Sequence, residues 1–167
     1  MLRHARRALA TKVIIPRHRD AIHLQKNNTL ADASCVASRG GTVVHASVSW
    51  RWASGEDALY YTGGGAPLHV DFRHPSSAAG LPPTTASGRE NVRASDQEIL
   101  AARNIDRALR PRFHGDGFLE TVRVDVEVAS SDGDGDVVTL GANAASCALA
   151  LAGVPWKGPV GTTRLSR

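Results

Sequence analysis

Val122, Val124, Val126 and Val128 alternate with Arg123, Asp125 and Glu127. Along a strand, successive side chains point to opposite faces, so this stretch carries apolar groups on one face and charge on the other. It reads as a half-buried strand, and a strand of that kind needs an apolar layer on one side only. Residues 30–37 and 42–50 flank Ser38-Arg39-Gly40-Gly41 and read as a hairpin, with Val44, Ala46, Val48 and Trp50 alternating inward. Leu68, Val70 and Phe72 give a further short strand.

Two helices supply the second layer. Ser95-Asp96-Gln97-Glu98 is a capping box, with Ser at the N-cap and Glu three residues later, and the helix it opens runs through Ile99, Leu100, Ile105 and Leu109 until Pro111 ends it. A second helix is expected over 137–152, built of small residues, with Gly153 as its C-cap and Pro155 just beyond. The predicted fold class is therefore α+β, a mixed sheet with packed helices. With 167 residues, 42% hydrophobic and 22% charged, the chain has the size and composition of one globular domain. No run reaches the 18 apolar residues of a membrane span, so no membrane partner is expected.

The charge is uneven. Residues 1–20 hold six basic side chains against the single Asp20, a net +5, while the whole chain is +4 and the remainder therefore −1. An Arg-rich start with Leu2, Leu9, Val13, Ile14 and Ile15 spread through it fits a mitochondrial targeting segment, and the expected location is the mitochondrial matrix. A disordered basic tail would look the same. Residues 21–167 form the expected folded part.

Few motifs carry chemistry by themselves. Cys35 and Cys147 lie far apart in sequence without metal-ligand spacing and read as free, partly buried thiols. His69 and His74, five apart in a strand-like segment, fall on opposite faces and do not suggest a shared metal. Asp132-Gly133-Asp134-Gly135-Asp136 invites a calcium reading, but counting from Asp132 puts Val137 where an EF-hand needs Gly and Asn143 where it needs Glu. The glycines at 63–65 and 158–161 lack the strand-to-helix context of a phosphate cradle. Residues 73–94 form a Pro-, Ser-, Thr- and Gly-rich stretch, long enough inside a compact domain to be functional or disordered. On the first helix Arg103, Arg107 and Arg110 fall within about 60° of arc, opposite Ile105 and Leu109. Such a stripe is either a solvated face with an Asp106 to Arg110 pair or a site for an anionic partner.

A run of motifs carries the reading further. Pro67-Leu-His-Val-Asp-Phe-Arg73, Ala78-Ala-Gly80, Arg89-Glu90, Ser95-Asp-Gln-Glu-Ile-Leu100, Arg103-Asn-Ile-Asp-Arg107, Arg110-Pro111 with Phe113, Gly117-Phe118, Asp136-Val137 and Gly153-Val-Pro-Trp-Lys-Gly-Pro-Val-Gly161 occur in order. From about residue 30 to 165 the chain resembles the first RNase PH-type domain of the polyribonucleotide nucleotidyltransferases, or polynucleotide phosphorylases, most of all the mitochondrial forms. The resemblance implies RNA processing by 3′-to-5′ phosphorolysis, in which phosphate attacks the terminal phosphodiester and releases nucleoside diphosphates. It also implies a ring of RNase PH-type domains around an RNA channel.

The resemblance implies RNA contact by Arg89, Arg93, Arg103, Arg107 and Arg110. Where the family's RNA-gripping loop pairs two arginines, this chain has Gly88-Arg89, and Arg93 is the candidate replacement. The family reaction uses inorganic phosphate and magnesium, but no cofactor is expected on this chain. In the family's catalytic second domain a Gly-Ser-Ser stretch at a helix N-terminus holds the phosphate; the corresponding stretch here is Gly135-Asp136-Val137. No catalytic residue is therefore assigned, and the chain alone is expected to be inactive, as an incomplete RNase PH-type domain completed by a second copy or another chain. The alternative is a non-catalytic RNA-binding or structural subunit of a mitochondrial ribonucleoprotein assembly.

Overall fold

The computed structural model describes residues 22–27, 30–52, 68–82, 94–113 and 120–165, apart from the side chains of residues 52 and 120. Five strands form one sheet: β1 (His23–Asn27), β2 (Ala33–Arg39), β3 (Thr42–Trp52), β4 (Leu68–Arg73) and β5 (Glu120–Ser130), in the order β1-β2-β3-β5-β4. All neighbours are antiparallel except β4 and β5, which run parallel. That pair requires a crossover, and helix α1 (Asp96–Leu109) supplies it. Helix α2 (Val137–Ala152) follows β5. The mixed sheet with packed helices is the α+β class the patterning predicts.

Register explains why one face became the core. Val44, Ala46 and Val48 of β3 stand opposite Val128, Val126 and Val124 of β5, while Leu68 and Phe72 of β4 stand opposite Val122 and Val126. These side chains are buried against Ile105 and Leu109 of α1 and Leu140, Ala144, Ala148 and Leu149 of α2. Trp50 is half-buried against the same core. The opposite face carries His69, Asp71 and Arg73 beside Arg123, Asp125 and Glu127.

Local expectations hold closely for the helices. Ser95 Oγ accepts from the Glu98 N–H at 3.3 Å, and the Glu98 carboxylate accepts from the Ser95 N–H at 2.7 Å. The other Glu98 oxygen accepts from the His74 N–H at 2.7 Å, so the same carboxylate ties the start of α1 to the end of β4. Partial burial alone would raise the Glu98 carboxyl; the donors from His74 and Ser95 outweigh it and the net shift is downward. Helix α2 ends at Gly153, whose φ of +70° is the left-handed C-cap conformation.

Two expectations need correction. The first hairpin strand begins at Ala33 rather than at residue 30, where Leu30 is fully exposed. His74 lies just past the end of β4 instead of within it. Residues 1–21, and with them the proposed targeting segment, lie outside the described residues, as do residues 83–93 of the long connection.

The Asp-Gly-Asp-Gly-Asp run is a structural knot. The Asp132 carboxylate accepts from Thr42 Oγ1 at 2.6 Å, from the Gly41 N–H at 2.9 Å, and from the Asp134 and Gly135 N–H groups at 3.2 Å. It thereby joins the β2–β3 turn to the connection between β5 and α2. Donation by Thr42 and Gly41 lowers the Asp132 carboxyl to about 2. Because the folded value lies below the ordinary carboxylate value, the stabilisation is present above about pH 4 and is lost as pH falls toward 2. Asp132→Asn is expected to lower the thermal midpoint at pH 6 and to flatten its decline between pH 4 and pH 2.5. An acid limb as steep as that of the wild-type chain would show that Asp132 does not couple the two turns.

Candidate nucleic-acid interface

The inward face of α1 is set by Ala101, Ile105 and Leu109, so its outward face is fixed by the 100° step between residues. Arg103 and Arg107 are on that outward face, exposed, and neither has a carboxylate partner among the described residues. Arg110 is engaged differently. Its Nε and Nη2 donate to the two Asp106 carboxylate oxygens at 2.8 and 2.6 Å, and Nη2 also donates to the Leu68 carbonyl at 2.9 Å. This guanidinium therefore clips the end of α1 to the start of β4. Of the three stripe arginines, the structure leaves two facing solvent and gives the third a position in the fold. Arg89 and Arg93 lie outside the described residues.

A groove of about 340 Å³ runs between β4 and α1, with Arg103, Arg110, His69, Asp71 and Glu98 among its polar walls. Ile99 and Leu100, 42% and 58% exposed, flank the arginines. The outer surface of α1 is thus cationic with apolar margins. Two further basic residues adjoin its C-terminal end. The Lys157 N–H donates to the Arg112 carbonyl at 2.8 Å, and Trp156 stacks on Phe113 with ring centroids 5.7 Å apart. Arg112 and Lys157 are both exposed. Lys157 is 45 positions from Arg112, so no local pattern announces their proximity; the Trp in the Gly153–Gly161 motif is the one sequence hint of a docking point.

That motif begins a segment that runs back along α2. The Val160 N–H donates to Ser146 Oγ at 2.8 Å, the Thr162 N–H donates to Asn143 Oδ1 at 2.8 Å, and Thr162 Oγ1 donates to the Thr139 carbonyl at 3.2 Å. The segment ends beside the α2 N-terminus, where Arg164 lies 3.6 Å from the Asp136 carboxylate. Asp136 itself accepts from the Val138 and Thr139 N–H groups at 3.2 and 3.4 Å and from Thr139 Oγ1 at 2.7 Å. Burial would raise its carboxyl, but donation from Thr139 and Val138 and the nearby Arg164 outweigh that, and the net shift is downward. The donors that make a helix N-terminus an anion site are therefore occupied by a carboxylate of the chain itself.

On the sheet face away from the core, Asp71 stands opposite Asp125. Arg123 Nε donates to both Asp125 oxygens at 2.9 and 3.0 Å on the open sheet face, which raises the Arg123 guanidinium further. Among the described residues, no three His, Cys, Asp or Glu side chains converge in a way that could hold a metal. Among the same residues, no helix is long and apolar enough to cross a membrane.

Comparison with known proteins agrees with this architecture. Residues 21–155 match the family model described as 3′ exoribonuclease family, domain 1, the RNase PH domain. The chain is 45% identical over 101 residues to the mitochondrial polyribonucleotide nucleotidyltransferase 2 of Arabidopsis thaliana, covering 60% of this chain and 10% of that protein. It is 41% identical over 135 residues to the polyribonucleotide nucleotidyltransferase of Rhodopseudomonas palustris, covering 81% and 18%. It thus spans between a tenth and a fifth of the length of these curated relatives. A chain of the Archaeoglobus fulgidus exosome, solved with RNA bound to the active site, superposes with a TM-score of 0.55 at 21% identity over 78% of this chain and 50% of that one. The sheet order, the crossover helix and a match over most of the sequence converge on one assignment: the chain belongs to the 3′ exoribonuclease family, within its RNase PH domain 1.

Proposed function

We propose that this chain is a polynucleotide-phosphorylase-type RNA-processing protein of mitochondria, whose own residues contact RNA while phosphorolysis depends on residues it does not supply. The single observation that carries the RNA contact is the outward pair Arg103 and Arg107 of α1, two exposed cations without carboxylate partners among the described residues. Arg112 and Lys157 extend the cationic surface. The chain of the same fold in an exosome solved with RNA at its active site and the mitochondrial relatives support the partner and the location, as does the basic segment at residues 1–20.

The contact is local. Residues 113–136 carry Arg123 against seven acidic side chains, so the chain's field is dipolar and a polyanion is steered to α1 and away from the acidic segment. Each phosphate neutralised contributes about −0.7 to the slope of log affinity against log salt for a single strand. The Arg103→Ala, Arg107→Ala double variant is therefore expected to bind single-stranded RNA more weakly and to lose about 1.4 of that slope. Titration from low to physiological salt measures it. Arg110 is left in place because its replacement would release β4 from α1. A double variant with the same slope as the wild-type chain would refute RNA contact by this face.

A second reading, a non-catalytic subunit that uses α1 to bind protein, is favoured by exposed Ile99 and Leu100 beside the arginines. An apolar contact gives affinity that depends little on salt, so the same titration separates the two readings.

A further inference from the structure

Strand β4 ends the sheet, and among the described residues no strand pairs with its other side. Successive residues of a strand turn their backbone N–H and C=O groups to alternate sides, so every second residue of an edge strand offers them outward. Two bonds from α1 fix which residues these are. The Leu68 carbonyl accepts from Arg110 Nη2 at 2.9 Å, and the His74 N–H donates to the Glu98 carboxylate at 2.7 Å. Leu68 and His74, at the two ends of the strand, are an even number of positions apart and turn the same way, as do Val70 and Phe72 between them. Among the described residues, no side chain bonds the backbone of Val70 or Phe72.

A cavity opens on each side of this edge. The groove of about 340 Å³ lies toward α1, walled by Ile99, Ala102 and Arg103. A second cavity, of about 270 Å³, lies toward the open sheet face beside Arg123. His69, Val70 and Asp71 line both. A strand added to the edge would send alternate side chains into one and over the other, which is how strand addition selects a sequence.

We propose that the outer edge of β4 receives an extended peptide of a partner protein, which adds antiparallel to Val70 and Phe72 and carries an aliphatic side chain and, two residues later, an acidic one into the groove beside α1. The backbone sets the class of occupant. Val70 and Phe72 present a donor and an acceptor each, roughly 6.8 Å apart, a repeat that another extended polypeptide matches. A phosphate backbone accepts hydrogen bonds only and leaves the two carbonyls without donors. Charge sets the sequence. On the α1 wall the Glu98 carboxylate is held by the His74 and Ser95 N–H groups and Asp106 by Arg110, which leaves Arg103 without a carboxylate partner among the described residues. Glu98 lies at the His74 end of β4 and Arg110 at the Leu68 end, so α1 runs opposite to β4. Ile99 therefore lies toward Phe72 and Arg103 toward Val70. An antiparallel peptide meets Phe72 first, hence the aliphatic residue before the acidic one. This docking rests on the strand edge and stands apart from RNA contact by α1.

Fluorescence anisotropy of the full chain with a labelled, end-blocked peptide, Thr-Thr-Ile-Thr-Glu-Thr-Thr, tests the site. Saturable binding is expected. N-methylation of the Ile or the Glu nitrogen, each facing β4, is expected to weaken it by roughly tenfold, since a backbone hydrogen bond is lost and a methyl group enters the ladder. N-methylation of the Thr between them, whose N–H faces away, is expected to leave affinity within about twofold. Arg103→Ala is expected to weaken binding about threefold, and to have no effect on a peptide with Gln in place of Glu. Absence of binding, equal affinity for the three methylated peptides, or an Arg103→Ala effect that persists with Gln would each overturn the proposal. A chain that self-associates and thereby excludes the peptide would assign the edge to a second copy and overturn it too. The peptide series leaves the protein unaltered, so its outcome does not depend on a variant that folds.

Discussion

Gly141→Leu is expected to destabilise the chain by about 3 kcal/mol, a large part of the roughly 5 to 15 kcal/mol that holds a domain of this size together. A Cβ placed on Gly141 would lie 3.0 Å from Val126 Cγ1, 3.4 Å from Phe72 Cε2 and 3.6 Å from Ile105 Cδ1. These atoms belong to β5, β4 and α1, so Gly141 is where α2 meets every other layer of the core. A single methyl group is a close test of that packing. Gly141→Ala gains about 1 kcal/mol of helix propensity and spends it pushing Val126 aside, for a net change near zero. A leucine has no such escape, because three further carbons must enter a space already filled by a valine, a phenylalanine and an isoleucine. Urea unfolding of both variants measures the effect, with the midpoint falling sharply for leucine and the slope unchanged. An unmoved midpoint for Gly141→Leu would mean that α2 does not pack on β5 at that residue.

The 167-residue chain, given RNA, inorganic phosphate and magnesium, is expected to release no nucleoside diphosphate above background. The resemblance puts the family's phosphate-binding stretch at Gly135-Asp136-Val137, and there the Asp136 carboxylate already holds the Val138 and Thr139 donors. Its carboxyl is shifted downward, so it is ionised at neutral pH. A phosphate oxygen about 4 Å from that charge would meet roughly 4 kcal/mol of repulsion at an effective dielectric near 20, which weakens anion binding about a thousandfold. Val137 offers no hydroxyl in compensation. Asp136→Asn removes the charge but keeps the cap, so it too is expected to release nothing, since the resemblance assigns the catalytic aspartates to the family's second domain. Nucleoside diphosphate release that survives repurification, in either chain, would defeat the non-catalytic reading.

Much of the fold was legible because it depends on contacts between near neighbours. The Ser95 and Glu98 capping box, the valine alternation of β5, the hairpin turn at Gly40 and the Gly153 cap each state their geometry within a few residues. Strand β1 was not legible. Its five residues His23–Asn27 are all exposed and have no apolar alternation, and they become a strand because the β2 edge offers a backbone ladder to pair with. The candidate interface divides the same way. Helical spacing put Arg103, Arg107 and Arg110 on one face, but only the Leu68 carbonyl, 42 positions away, separates the third from the first two by giving Arg110 an acceptor in β4.

By itself, then, the sequence determined the α+β class, both helices with the Ser95 and Gly153 caps, the four strands with apolar alternation and the family to which the chain belongs, since each is carried by periodicity or by motifs along the chain. Tertiary structure decided the strand order β1-β2-β3-β5-β4, the parallel pairing of β4 with β5, and the ties made by Asp132 and Arg110. Each of these joins residues dozens of positions apart. Local propensity has no term for such pairs; they become neighbours only when burial of the shared apolar face brings the strands and helices together.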